Sequence, residues 1–288
     1  MPTLKTTATP STDLYYEDRG RGPAIVLIHG WPLSGAMWES QVNGLVDAGF
    51  RCITYDRRGF GRSGRPGGGY EYDTFASDLH DIVTMLGLES FVLAGFSMGG
   101  GEVARYVGRY GTAKMAGAAL VSAITPFLLK TPDNPDGVDG AQFDGMIAGL
   151  KKDRIAFLNG FFPKFFNRED AAQSPNDDVI PYAKSIAWPA SPLGTQECVV
   201  AFGTTDFRAD LRRLDVPTLV IHGSADQIVP FEVSGKRAYE MLHDGRLEVI
   251  PNAPHGLAAT HADRLTELLG DFMRAVSSGK MASSTARA

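Results

Sequence analysis

The chain runs to 288 residues, 43% hydrophobic and 21% charged, which excludes a disordered or low-complexity protein and allows one large domain with a substantial core. Its 28 basic and 33 acidic side chains leave a net charge of -5, which argues against a broad nucleic-acid or anionic-membrane surface and favours small, neutral or weakly charged partners. Two cysteines, Cys52 and Cys198, indicate neither a disulfide framework nor a cysteine metal site, and no stretch approaches roughly 18 consecutive apolar residues, so a cytoplasmic protein with buried, reduced thiols is expected.

In chain order, the polar segment from Met1 to Thr12 lacks the apolar run of a leader peptide. Leu14-Tyr15-Tyr16-Glu17 reads as an edge strand ending in a turn over Asp18 to Gly22. Ala24 to Ile28 opens a series of short apolar runs, continued by Cys52 to Tyr55, Phe91 to Ala94, Ala118 to Val121, Thr218 to Ile221 and Leu247 to Ile250, that read as buried strands. Their alternation with helical patterns predicts an α/β fold on a mostly parallel sheet. Between two of them, Phe75, Leu79, Ile82, Val83 and Leu86 fall at helical spacing, with Asp73 or Thr74 as the cap and Gly87 as the stop.

The rhythm breaks after Ser122 and resumes near Val216, too long an interval for a bare loop. Its Phe127, Phe143, Phe157, Phe161, Phe162, Phe165 and Phe166 predict a small, mostly helical cap, partly packed on itself and partly roofing an apolar pocket. The expected organisation is therefore an α/β core over 1–122 and 216–276, a cap over 123–215, and a small, polar, flexible tail over 277–288. Phe127, Phe143, Phe161 and Phe162, with Ile228 and Val229 of the core, are the candidate substrate-pocket residues.

Gly95-Phe96-Ser97-Met98-Gly99 is a G-x-S-x-G between a strand and a helical pattern, the placement of a nucleophile elbow. A sharp strand-to-helix turn strains the serine backbone and crowds its neighbours, and the two glycines relieve that crowding. A serine nucleophile needs a base, and the base an orienting acid. His255 follows the last strand in Ala253-Pro254-His255-Gly256, and Asp226 follows the strand Thr218 to Ile221, giving the chain order Ser, Asp, His. Asp206, Asp210 and Asp215 are alternatives for the acid but precede that strand, and His29, His80, His222, His243 and His261 are not read as bases. The segment His29-Gly30-Trp31-Pro32 stands where this architecture supplies one oxyanion-hole N–H, so Trp31 and Met98 are the expected donors. Pro32 has no N–H and restricts the backbone of Trp31.

Gly59-Phe60-Gly61-Arg62-Ser63-Gly64 spells a dinucleotide fingerprint, but no helix opens there to take a phosphate, so no nucleotide role is expected. Asp56 and Arg57 are read instead as an internal ion pair and turn that brace the floor of the site.

Together with Asp56-Arg57-Arg58-Gly59-Phe60-Gly61-Arg62-Ser63 and Thr205-Asp206-Phe207-Arg208, these motifs make the chain resemble, from about residue 12 to 276, the cofactor-free haloperoxidase, perhydrolase and aryl esterase group of α/β-hydrolases. The resemblance implies a triad of Ser97, Asp226 and His255, no metal and no cofactor, hydrolysis of small acyl or aryl esters, and transfer of the acyl group to hydrogen peroxide to give a peracid that oxidises halides. It also implies a homotrimer or a dimer of trimers, and Pro after the oxyanion Trp is typical of the perhydrolase branch. Two positions depart from the group's pattern: Met98 stands where Thr is frequent and Ser224 where Asp is frequent. Lactonase or γ-lactamase activity is the alternative within the group, and a catalytically silent, small-molecule-binding fold is the alternative from another class.

Overall fold

The computed structural model describes residues 2–168 and 178–279, so positions 280–288 of the expected tail lie outside the described residues. The chain begins with β1 (Thr3–Lys5), β2 (Asp13–Gly20) and β3 (Ala24–Ile28), then α1 (Glu39–Asp47), β4 (Arg51–Tyr55), α2 (Tyr72–Met85), β5 (Phe91–Phe96), α3 (Met98–Tyr110) and β6 (Met115–Val121). The stretch after β6 carries α4 (Gly140–Phe165), α5 (Val179–Ala187), α6 (Pro192–Thr204) and α7 (Arg208–Leu211). The sheet resumes with β7 (Thr218–Gly223), followed by α8 (Gly235–Met241), β8 (Gly245–Ile250), α9 (Leu257–Thr260) and α10 (Ala262–Ser277).

The strands form one 8-stranded sheet in the order β1-β2-β4-β3-β5-β6-β7-β8. β2 runs antiparallel to β1 and β4, and every pairing from β4 to β8 is parallel. Strands β3 and β5 are buried at every residue, as a sheet with helices on both faces requires. After β3 the chain moves outward to β4, then crosses back to lay β5 on the other side of β3. That reversal opens a crevice at the carboxyl ends of β3 and β5, the place where open α/β sheets bind ligands.

Two local expectations are corrected, and the inserted segment holds a broken helix. The run at Leu14 is not an edge strand: Thr3–Lys5 pairs outside it, and residues 18–20, expected as a turn, continue β2 against β4. At three residues, Thr3-Leu4-Lys5, β1 is too short for its alternation to signal a strand; the pairing exists because β2 offers its free edge. Helix α2 starts a turn earlier than Phe75, with Glu71 as its cap, because buried Tyr72 packs edge-on against Phe75 and Phe207 and joins the helix. Helix α4 is broken at Asp153 (φ -160°), whose carboxylate caps the second half by accepting from the Ala156 N–H.

The buried Phe143, Leu150, Leu158, Phe162 and Phe165 of α4 belong to the same apolar cluster as the sheet residues. The helices between β6 and β7 therefore share the core of the sheet.

Candidate active site

Ser97 sits at the junction of β5 and α3 with φ 53° and ψ -117°, a region sparsely populated by residues with a side chain. The turn is held by its N–H donating to Val121 O at 2.8 Å and by its carbonyl accepting from Gly100 N at 3.0 Å. A Cβ on Gly95 would stand 2.3 Å from Gly99 O, and one on Gly99 would stand 2.5 Å from Ile28 O. The two motif glycines are thus required by close backbone approach at this corner.

His255 is delivered by the loop after β8. Its Nε2 lies 3.0 Å from Ser97 Oγ and its Nδ1 2.7 Å from Asp226 Oδ2. The other carboxylate oxygen, Oδ1, accepts from the backbone N–H groups of Ile228 at 3.0 Å and Val229 at 2.8 Å. Burial alone would raise the Asp226 carboxyl, but the His255 and His222 rings beside it outweigh burial and hold it well below the usual carboxylate range. The loops after β7 and β8 are stitched together by Ser224 N to Ile250 O (3.0 Å), Ala225 N to Ala253 O (3.1 Å) and Asn252 N to Ser224 Oγ (2.7 Å). Ser224, where the resembling group often carries Asp, therefore has a positioning contact of its own. The imidazole of His255 is wedged between Phe96 (5.0 Å) and Phe165 (4.9 Å, perpendicular), and Gly256 N donates to Phe165 O.

The structure thus brings Ser97, His255 and Asp226 into one hydrogen-bonded line. Met98, the first residue of α3, has one of the N–H groups that a helix start leaves without an intrahelical acceptor. Gly30 abuts the elbow so closely that a Cβ there would stand 3.0 Å from Ser97 Cβ, which brings the Trp31 backbone to the same corner. The Trp31 indole points into the inserted helices: Nε1 donates to Thr195 O at 3.0 Å, and Phe161 and Phe202 meet the ring edge-on at 5.2 and 5.8 Å.

Of the pocket candidates, Phe161 touches Trp31, and Phe143 packs on Phe202. Phe162 is fully buried among Phe161, Phe165 and Phe166, Phe127 lies under the Arg208 guanidinium, and Ile228 and Val229 bind Asp226 through their N–H groups. An apolar cavity walled by Leu33, Phe96, Phe165, Phe166 and Gly256 adjoins the site; neither Ser97 nor Trp31 lines it, so it lies beside the nucleophile rather than over it.

Beneath the site, the expected pairing of Asp56 with Arg57 is replaced. Asp56 accepts from the N–H groups of Gly35 (2.8 Å) and Arg62 (2.7 Å), whereas Arg57 pairs with Glu102 of α3 at 2.7 Å, both fully buried. Both follow the end of β4 at Tyr55, and each side chain is taken up by other partners. His29, no base, is buried, its Nε2 accepting from Arg57 N at 2.9 Å and its Nδ1 donating to Gly30 O at 2.9 Å. His222 is the neighbour that sequence spacing missed: its Nε2 donates to Val229 O at 2.8 Å and stands 3.4 Å from Asp226 Oδ2. His80 stacks on Tyr110, away from Ser97. The signal for His222 was its i,i+4 relation to Asp226; for Thr195 and Phe202 no sequence signal exists, because helix packing alone carries them to Trp31.

No helix among the described residues is long and apolar enough to cross a membrane. The alpha/beta hydrolase fold family matches residues 23–262. The chain is 41% identical over 262 residues to a non-heme chloroperoxidase of Kitasatospora aureofaciens, covering 90% of this chain and 94% of the relative. It is 38% identical over 279 residues to a bifunctional esterase/perhydrolase of Acinetobacter calcoaceticus, covering 93% and 98%. Among solved structures, a bromoperoxidase from Bacillus anthracis superposes with a TM-score of 0.90 at 46% identity, covering 95% of this chain and all of that one.

Proposed function

The chain belongs to the α/β-hydrolase family, in its non-heme haloperoxidase and perhydrolase branch, and from that premise we propose that it is a serine hydrolase of small acyl and aryl esters that also passes the acyl group to hydrogen peroxide. The observation that carries this reading is the line Ser97 Oγ, His255 Nε2, His255 Nδ1, Asp226 Oδ2, with a strained serine at the switch point of the sheet.

In the proposed cycle His255 Nε2 takes the Ser97 proton as Oγ attacks the substrate carbonyl. Asp226 holds Nδ1–H in place and stabilises the imidazolium. The negative oxygen of the tetrahedral intermediate is held by the N–H groups of Trp31 and Met98, and the positive end of α3 adds to their field. His255 returns the proton to the departing alcohol or phenol, leaving an ester on Ser97. Water, deprotonated by His255, then releases the carboxylic acid; hydrogen peroxide in its place releases the peracid, which oxidises a halide to hypohalous acid as it reverts to the acid. The aromatic surface of Phe161, Phe143 and Phe202 next to Trp31 supports small apolar and aryl acyl groups as substrates. A cytoplasmic setting is supported by Cys52 and Cys198, both free and buried, with thiols pushed up to about 12 by burial. Assembly as a trimer or a dimer of trimers belongs to this reading, and sedimentation would test it.

The test is formation of peracid from acetate and hydrogen peroxide with chelator present, alongside hydrolysis of a phenyl acetate, in the native chain and in Ser97→Ala. Both rates should be present in the native chain and fall by about three orders of magnitude or more in the variant. Ester hydrolysis without peracid would remove the perhydrolase half of the reading. A folded native chain with neither activity would leave a binding fold.

A further inference from the structure

Among the buried charges that the mechanism leaves unused is a pair that reaches the site. Arg57 and Glu102 are 1% and 0% exposed at their side chains, and they join the two segments that carry the proposed oxyanion donors. Arg57 Nη2 alone reaches both: it donates to His29 O at 2.9 Å, two residues before Trp31, and lies 2.7 Å from Glu102 Oε2, on the helix that Met98 begins. Arg57 Nε donates to the same Glu102 oxygen at 2.8 Å, and the Arg57 backbone N–H fixes the His29 ring, whose Nδ1 in turn holds Gly30 O. Tyr55 hydroxyl donates to the remaining Glu102 oxygen. The joint has no slack, since a Cβ on Gly99 would meet Ile28 O at 2.5 Å and His29 O at 3.0 Å.

A fully buried ion pair is a poor source of net stability, because desolvation of both charges offsets their attraction and apolar side chains of similar volume often serve as well. What apolar side chains cannot supply is a directed bond to a backbone carbonyl. We propose that Arg57 and Glu102 are positioning residues for the oxyanion hole: their ion pair clamps the His29-Gly30-Trp31 segment to the start of α3 and so sets the gap between the Trp31 and Met98 N–H groups. The inference rests on the assignment of those two donors in the preceding section. A displacement of about 1 Å at a reacting centre costs on the order of 100-fold in rate, so a clamp of this kind acts on kcat far more than on substrate binding.

The decisive variant is the double replacement Arg57→Met with Glu102→Leu, which removes both charges together and so avoids stranding one of them in the core. Active sites are counted by endpoint titration with a fluorophosphonate, so that a loss of folded protein lowers the count and not the rate per site. We expect kcat per titrated site for a phenyl acetate to fall about 10- to 100-fold with KM within about 3-fold, and affinity for a trifluoromethyl ketone, which forms the tetrahedral oxyanion, to fall by the same factor as kcat. The pH midpoint of kcat/KM, set by the base and not the hole, should stay in place. Glu102→Gln, which keeps the shape, carries the same comparison if the double variant does not fold. A kcat per titrated site within about 3-fold of native in either folded variant overturns the proposal while leaving the esterase reading intact. Native hydrolysis that Ser97→Ala does not abolish overturns that reading, and the clamp with it.

Discussion

At the scale of single residues, the site is governed by close approach. Gly99 lies in the first turn of α3, where alanine would ordinarily gain about 1 kcal/mol of helix propensity over glycine. Here a Cβ would press on the backbone oxygen of Ile28 at 2.5 Å, and backbone cannot rotate aside as a flexible side chain can. Gly99→Ala is therefore expected to reverse the usual sign, lowering the unfolding free energy by about 1–3 kcal/mol in urea titration and reducing kcat through displacement of Met98. An unchanged or raised midpoint would show that α3 can retreat from β3. Asp226 is fixed as tightly, with one oxygen held by two backbone N–H groups and the other facing two imidazoles. Its shape and charge are set before substrate arrives.

At the scale of elements, each residue of the proposed site sits just past the carboxyl end of a parallel strand: Trp31 after β3, Ser97 after β5, Asp226 after β7 and His255 after β8. The strands point them at one corner, and the inserted helices close it from above. Helix α6 offers Thr195 O and Phe202 to the Trp31 indole, and α4 offers Phe161. An aromatic pair of this kind contributes about 0.5–1.5 kcal/mol beyond area burial. Phe161→Leu should accordingly raise KM for aryl esters about 2- to 10-fold relative to alkyl acetates, with the thermal midpoint nearly unchanged because Phe161 is only partly buried. Equal effects on both ester classes would take Phe161 out of the pocket wall.

At the scale of the whole molecule, the buried charges couple stability to pH. Burial and then the Arg57 guanidinium push His29 well below the ordinary imidazole range, so the folded protein keeps it neutral. The unfolded chain binds a proton there below about pH 6.5, and protons therefore favour unfolding: stability conferred by neutral His29 is present above about pH 6.5 and declines as pH falls, by up to about 1.4 kcal/mol per unit, until the folded ring itself titrates. His29→Gln removes that one proton. Between pH 6.5 and 5 the urea midpoint of the variant should fall less steeply than that of the native chain. Parallel slopes would mean that His29 is already charged in the folded state.

Periodicity placed the inner parallel strands, because residues buried on both faces of a sheet must be apolar in runs, whereas β8, expected as a buried strand, stands at the sheet edge with only Ile250 buried; the G-x-S-x-G between a strand and a helix named Ser97 by a local steric requirement. Chain order then singled out Asp226 and His255. All of these are properties of short windows, and a sequence records them directly. What only the tertiary structure decided are contacts between distant windows. Arg57 pairs with Glu102, 45 positions away, and not with its neighbour Asp56; Thr195 and Phe202 reach Trp31; and Thr3–Lys5 finds the free edge of β2. Partners of that kind are chosen by which strand ends and helix faces the strand order brings together, and the switch from β4 back to β5 is where that choice is made. Side chains far apart along the chain carry no spacing rule, so their meeting becomes legible only once the sheet is assembled.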